Sequence, residues 1–132
     1  GTAVSKALRF FSNSTKQKSI AFVLSDFLDS NYEDALRIAG KKHDVIGIKL
    51  YDKMDMQLPD AGLLQVQDAE SNKTKWVDSS NGFVRYSYQQ EFFRVAQYCT
   101  QNFKKAGCDL LHVRTDEDYV RVLQKFFISR NR

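Results

Sequence analysis

Ile20-Ala-Phe-Val-Leu-Ser-Asp-Phe-Leu-Asp29 is the stretch that decides the fold. Apolar residues run unbroken from Ile20 to Leu24, and the run stops at two carboxylates, Asp26 and Asp29. An apolar run of strand length without alternation reads as a strand buried on both faces, the pattern of a parallel sheet covered by helices. In open α/β sheets, ligands sit beyond the carboxyl ends of the strands. An aspartate placed there is a candidate for metal or phosphate chemistry. The competing reading is that Asp29 or Ser30 caps the next helix, which leaves Asp26 as the acid with no cap to make.

Working outward, Ser30-x-x-Glu33 has the form of a capping box, and Ala35, Leu36 and Ala39 mark a short helix from Asn31 that Gly40 closes. Asp44–Tyr51 is a second strand, nearly continuous in apolar residues, so the two strands and their helix form a right-handed βαβ unit. Upstream, Val4, Ala7, Leu8 and Phe11 share one face of a helix over 3–11, and residues 12–16 form a loop. Residues 52–62, with the single proline Pro59, read as an irregular excursion. Gly62–Asp68 and Thr74–Asp78 read as a hairpin around 70–73, with Trp76 packed on one face. Tyr88, Phe92, Val95, Cys99 and Phe103 recur every three or four residues along a long helix over 83–105, ended by Gly107. A third buried strand over 110–115 precedes a last helix whose inner face is Tyr119, Val120, Leu123, Phe126 and Phe127. The order α-β-α-β-hairpin-α-β-α predicts an α/β fold: a partial doubly wound, three-layer arrangement with a mostly parallel sheet and an added β-hairpin.

Composition narrows the function classes. The 132 residues are 42% hydrophobic, enough for one domain spanning 1–132 with a substantial core. Twenty basic against sixteen acidic residues give a net charge of +4. The surplus is scattered among lysine pairs and the arginines of the tail, without the aromatic-basic pattern of a nucleic-acid binder. No apolar stretch approaches the ~18 residues of a membrane span, and the N-terminus lacks a signal-peptide layout. Cys99 and Cys108 are too few for a disulfide framework and lack zinc spacing. Free thiols in a reducing compartment are the expectation, hence a cytoplasmic location. The glycine-rich phosphate loops and the G-x-S-x-G elbow are all absent.

What remains is acidic. Asp26, Asp52 and Asp116 with Glu117 follow the three core strands, so a parallel sheet places them along one edge, where oxygen ligands suit magnesium. Helix capping competes for Asp116 and Asp29, and Asp26 carries the strongest functional reading. His43 and His112 fall at different places in the sheet, too far apart for a shared catalytic role.

The segments 18–29, 42–52 and 109–119, together with Leu58-Pro-Asp-Ala-Gly62 and Trp76-Val-Asp78, resemble the C-terminal part of the bacterial domain-of-unknown-function family fifty-eight. That family is often encoded beside MoxR-type AAA+ ATPases and is similar to von Willebrand factor A-like domains, a Rossmann-like doubly wound fold with a metal-ion-dependent adhesion site. By that resemblance Asp26 matches the aspartate of the third metal loop, and Thr2 the threonine of the second. The Asp-x-Ser-x-Ser of the first loop is missing, which implies the C-terminal half of such a domain and magnesium binding only in an intact, longer protein. That protein could be tethered to a membrane.

Two functional expectations follow. The first is a non-enzymatic protein-interaction module working with a MoxR-type AAA+ ATPase in assembly or chaperone-like roles, with no cofactor of its own. In it the apolar strand, through Ile20, Phe22 and Leu24, is an exposed edge that drives homo-oligomer formation. The alternative is a divalent-metal-dependent enzyme or phosphate-binding protein using the acidic strand ends.

Overall fold

The apolar runs at 20–25 and 44–51 form adjacent strands, and the third closes the sheet on the far side. In the computed structural model, which describes residues 3–67 and 73–131, the chain runs α1 (Ala3–Ser14), β1 (Ile20–Ser25), α2 (Glu33–Lys42), β2 (Asp44–Tyr51) and α3 (Lys53–Met56). It continues through β3 (Leu63–Gln67), β4 (Thr74–Asp78), α4 (Gly82–Lys105), β5 (Asp109–Arg114) and α5 (Tyr119–Arg130). The main sheet has the order β1-β2-β5 and is wholly parallel. β3 and β4 pair antiparallel as a separate hairpin. This is the mixed α/β architecture that the sequence pattern predicts.

Strand register sorts the side chains between two unequal faces. Leu24 pairs with Ile48, Ile48 with Leu111, and Leu50 with Val113, so Phe22, Leu24, Ile48, Leu50 and Val113 share one face. Val23, Val45, Gly47, Lys49, Leu110 and His112 share the other. The second face meets the main core, where Val45 packs among Val4, Leu8, Phe27, Tyr32, Leu36, Cys99 and Phe103 from α1, α2, α4 and the loop after β1. Each such large apolar side chain contributes about 1.5–3 kcal/mol on full burial, so this face carries most of the stability. Gly47 lets α4 approach closely: a Cβ there would lie 2.4 Å from the Phe103 ring.

Among the described residues α5 lies over the first face, through an edge-on contact of Phe22 with Phe127. No residue of α5 is fully buried, so its inner face of Tyr119, Val120, Leu123, Phe126 and Phe127 is only half covered, contrary to expectation. An ion pair of Arg130 with Asp44 at 2.6 Å, and a second contact to Asp109 at 3.4 Å, fasten its C-terminal end across β2 and β5.

Several local expectations change. Ser30-x-x-Glu33 makes no capping box: α2 begins at Glu33 behind Tyr32, which supplies no side-chain cap. Gly40 lies inside that helix, where a Cβ would meet Cys108 Sγ at 2.7 Å, so it serves close packing and the helix runs on to Lys42. Residues 53–56 form one helical turn within the predicted excursion. Trp76 is 67% exposed and does not pack on the hairpin, whose turn lies outside the described residues.

Candidate functional site

The carboxyl edge of the parallel sheet is built by three strand ends, and the structure places Asp26 and Asp52 directly after β1 and β2, and Asp116 two residues after β5. Each acid, however, is engaged locally. Asp26 Oδ1 accepts the backbone N–H of Leu28 at 3.3 Å. Asp52 caps α3, accepting from Met54 N–H at 2.8 Å, while Asp55 Oδ2 accepts the Asp52 N–H in return. Asp116 accepts from Arg114 Nε at 2.5 Å, and this contact holds its carboxyl below the usual carboxylate range. Glu117 Oε1 accepts the Arg114 N–H at 2.6 Å. The last helix is capped instead by Asp118.

Asp29 is a cap as well, but of another helix. Its Oδ2 accepts the N–H of Val4 at 2.8 Å, in the first turn of α1. An acid at a helix N-terminus satisfies an orphan N–H and complements the dipole. The loop between β1 and α2 thus locks α1 onto the sheet. Phe27 and Asn31 take positive φ angles of 52° and 64° within it, and Phe27 is driven fully into the core.

Among the described residues no three carboxylates, histidines or cysteines gather closely enough to hold a metal. Thr2, the other matched ligand, lies outside the described residues. The edge also carries a positive charge that the sequence pattern left unremarked. Lys49, near the carboxyl end of the central strand, is 2% exposed and donates its Nζ to the backbone carbonyl of Asp26 at 2.6 Å. The signal was a lone lysine within the apolar run Val45–Leu50.

The remaining reactive groups are muted. Cys99 is buried, which raises its thiol pKa, and burial with the nearby Asp109 and Asp44 carboxylates pushes Cys108 up to about 11. Neither is a thiolate at neutral pH. His43 is buried at the amino edge, its Nδ1 accepting from Ser19 N–H at 3.0 Å. His112 pairs in register with Lys49 and stands 3.4 Å from Thr100 Oγ1. The two histidines are therefore separate, as expected.

Desolvation and the Lys49 ammonium hold the His112 pKa below its ordinary 6.5. The unfolded chain then takes up a proton first as pH falls, so stability declines from about pH 6.5 down to the folded-state pKa. His112→Asn is expected to flatten that decline. Urea unfolding at several pH values between 7 and 5 checks it, and an unchanged slope in the variant would count against the assignment.

A second feature lies on the open sheet face. Phe22, Leu24, Ile48, Leu50 and Val113, with Tyr119, Leu123 and Phe127 of α5, line an apolar groove of about 560 Å³. Ile20 and Leu24 are each 61% exposed and Phe22 44%. These are the three residues expected to form an interaction edge, and β1 is an edge strand of the sheet.

Residues 1–97, which include β1, the Asp26–Tyr32 loop and β2, match the model of the family described as protein of unknown function DUF58. The chain belongs to this family. Uncharacterized proteins of Mycobacterium bovis and Mycobacterium tuberculosis are each 30% identical over 122 residues, covering 89% of the chain and 37% of their own length. A Mycobacterium avium protein, also uncharacterized, is 28% identical over 120 residues, 69% of its length. The chain thus spans 37% of the length of the first two relatives. No solved structure matches it. No helix among the described residues is long and apolar enough to cross a membrane.

Proposed function

We propose that this DUF58 chain is a non-enzymatic protein-interaction module, a partial von Willebrand A-like domain that docks through the β1 edge and the adjoining apolar sheet face. One observation carries the reading: an uncharged edge strand presents Ile20, Phe22 and Leu24 to solvent beside a groove roofed by a single helix. An unpaired, apolar strand edge is a template for pairing with another chain. The free state of both cysteines suits a reducing compartment.

The occupant we assign to the edge is a second copy of this chain, because β1 is self-complementary when paired antiparallel across a twofold axis. Centred on Phe22, such a pair sets Ile20 opposite Leu24 and continues the apolar face across both subunits. It also sets Lys18, just before the strand, opposite Asp26, just after it. Opposite charges directly across an antiparallel pair are favourable and like charges are not. A MoxR-type AAA+ ATPase is the further partner that the family resemblance points to, and it would compete for the same surface.

Sedimentation equilibrium at micromolar concentration tests the reading. A species of twice 15.3 kDa is expected. A monomer throughout the accessible concentration range would sink the self-pairing.

A further inference from the structure

Lys49 is a charged residue in an unusual position. It lies on the packed face of the central strand, 2% exposed, between Ser25 of β1 and His112 of β5 in register. Burying an ammonium is costly unless the charge is compensated. Among the described residues no carboxylate pairs with it directly. Its compensation is the Asp26 carbonyl at 2.6 Å, the face of the Phe92 ring at 5.9 Å, and the longer-range attraction of the Asp26 and Asp55 carboxylates.

We propose that the Lys49 ammonium is the built-in cation of the sheet's carboxyl edge, fastening the loop after β1 to the central strand. Three features converge on this. The ammonium reaches the backbone carbonyl of Asp26, the first residue after β1. The carboxylates of that edge are already engaged by Leu28 N–H, Met54 N–H and Arg114. The tethered loop is also the one that plants Phe27 and Tyr32 in the core and caps α1 through Asp29. A fixed monocation needs no dissociable partner, so the loop is held in the same position at any magnesium concentration. A divalent ion beside it would be repelled by the ammonium in a site poorly screened by water.

Three measurements on the whole chain test this. In the native protein, reductive methylation followed by mass spectrometry should label Lys49 at least about tenfold more slowly than the exposed Lys41 and Lys42, because labelling must await local opening. Lys49→Met keeps the length of the side chain and removes the charge. It should speed amide exchange of residues 27–32 by about tenfold or more while leaving α5 unchanged. Thermal midpoints of the native protein should not differ between EDTA and millimolar magnesium or manganese. Rapid labelling of Lys49 would overturn the proposal. So would unaltered exchange in the variant, or a saturable metal-dependent rise in the midpoint that Asp26→Ala abolishes. None of these outcomes depends on whether the chain dimerises.

Discussion

Phe103→Ala is expected to cost about 3–5 kcal/mol, the range for deleting a buried aromatic ring. The site gives reason to expect the upper half. Phe103 is 1% exposed and meets Phe27 edge-on with ring centroids 5.3 Å apart. Across from it, Gly47 has no side chain that could swing into the vacated space, and the strand backbone there is fixed by hydrogen bonds to both β1 and β5. A cavity that cannot collapse keeps its full penalty. Small domains carry only about 5–15 kcal/mol in total, so the thermal midpoint should fall by roughly 10–20 °C. Circular dichroism melts check this, with Phe103→Leu as the companion that retains most of the volume and loses much less. A fall of a few degrees for the alanine variant would mean that α4 does not anchor the sheet as described.

The same contact shows what was legible in the sequence. The stripe through Cys99 and Phe103 placed α4 correctly, because a three-and-four spacing states which side faces the core. It could not say that the N-terminal half of the stripe, at Tyr88 and Phe92, would stay only half-buried where α4 overhangs the sheet. Gly47 looked like one more small residue in a strand, since close approach between elements is a tertiary fact. The acids behaved in the same way. Their position at one edge followed from strand order alone, but their engagement depended on backbone N–H groups brought near by folding. Asp29 illustrates it, capping α1 across 25 residues of chain. Ser30-x-x-Glu33 matched a capping pattern and did not form one, because Tyr32, fully buried against Phe27 and Tyr98, sets the start of α2. Tertiary packing overrode the local signal. Lys49 was readable as an anomaly, a lone charge in an apolar run, although its partner was not. The unbroken apolar run predicted a strand buried on both faces, whereas Ile20, Phe22 and Leu24 are exposed, because α5 covers so little of that face.

Phe22→Lys is expected to weaken dimerisation by about one to two orders of magnitude while leaving the monomer folded. In the antiparallel register Phe22 faces its own copy on the twofold axis, so one substitution acts twice. It removes the burial of two rings, each 44% exposed in the single chain, and brings two ammoniums together where like charges repel. With a fully buried ring contributing about 1.5–3 kcal/mol and a cross-strand pair up to about 1 kcal/mol, the two partial losses and the repulsion come to about 1.5–3.5 kcal/mol. That weakens association by roughly 10- to 400-fold. Sedimentation equilibrium reads the change directly. The fold should survive, because a lysine at a half-exposed position can extend its charge into water. Phe10→Lys, on the exposed side of α1, supplies the control: Phe10 is 75% exposed and outside the pairing, so its replacement should leave the dimer intact. Equal weakening by both variants would point to general surface hydrophobicity and not to a strand edge. The register itself is separable from other packings of the same face. Cysteines at both Ile20 and Leu24 would face each other across two symmetric strand pairs, at the Cα separation of about 4.5–5.5 Å that a disulfide spans. Oxidation of that double variant should give a covalent dimer, whereas face-to-face stacking of the two grooves would hold these Cα atoms beyond disulfide reach and leave the chains uncrosslinked.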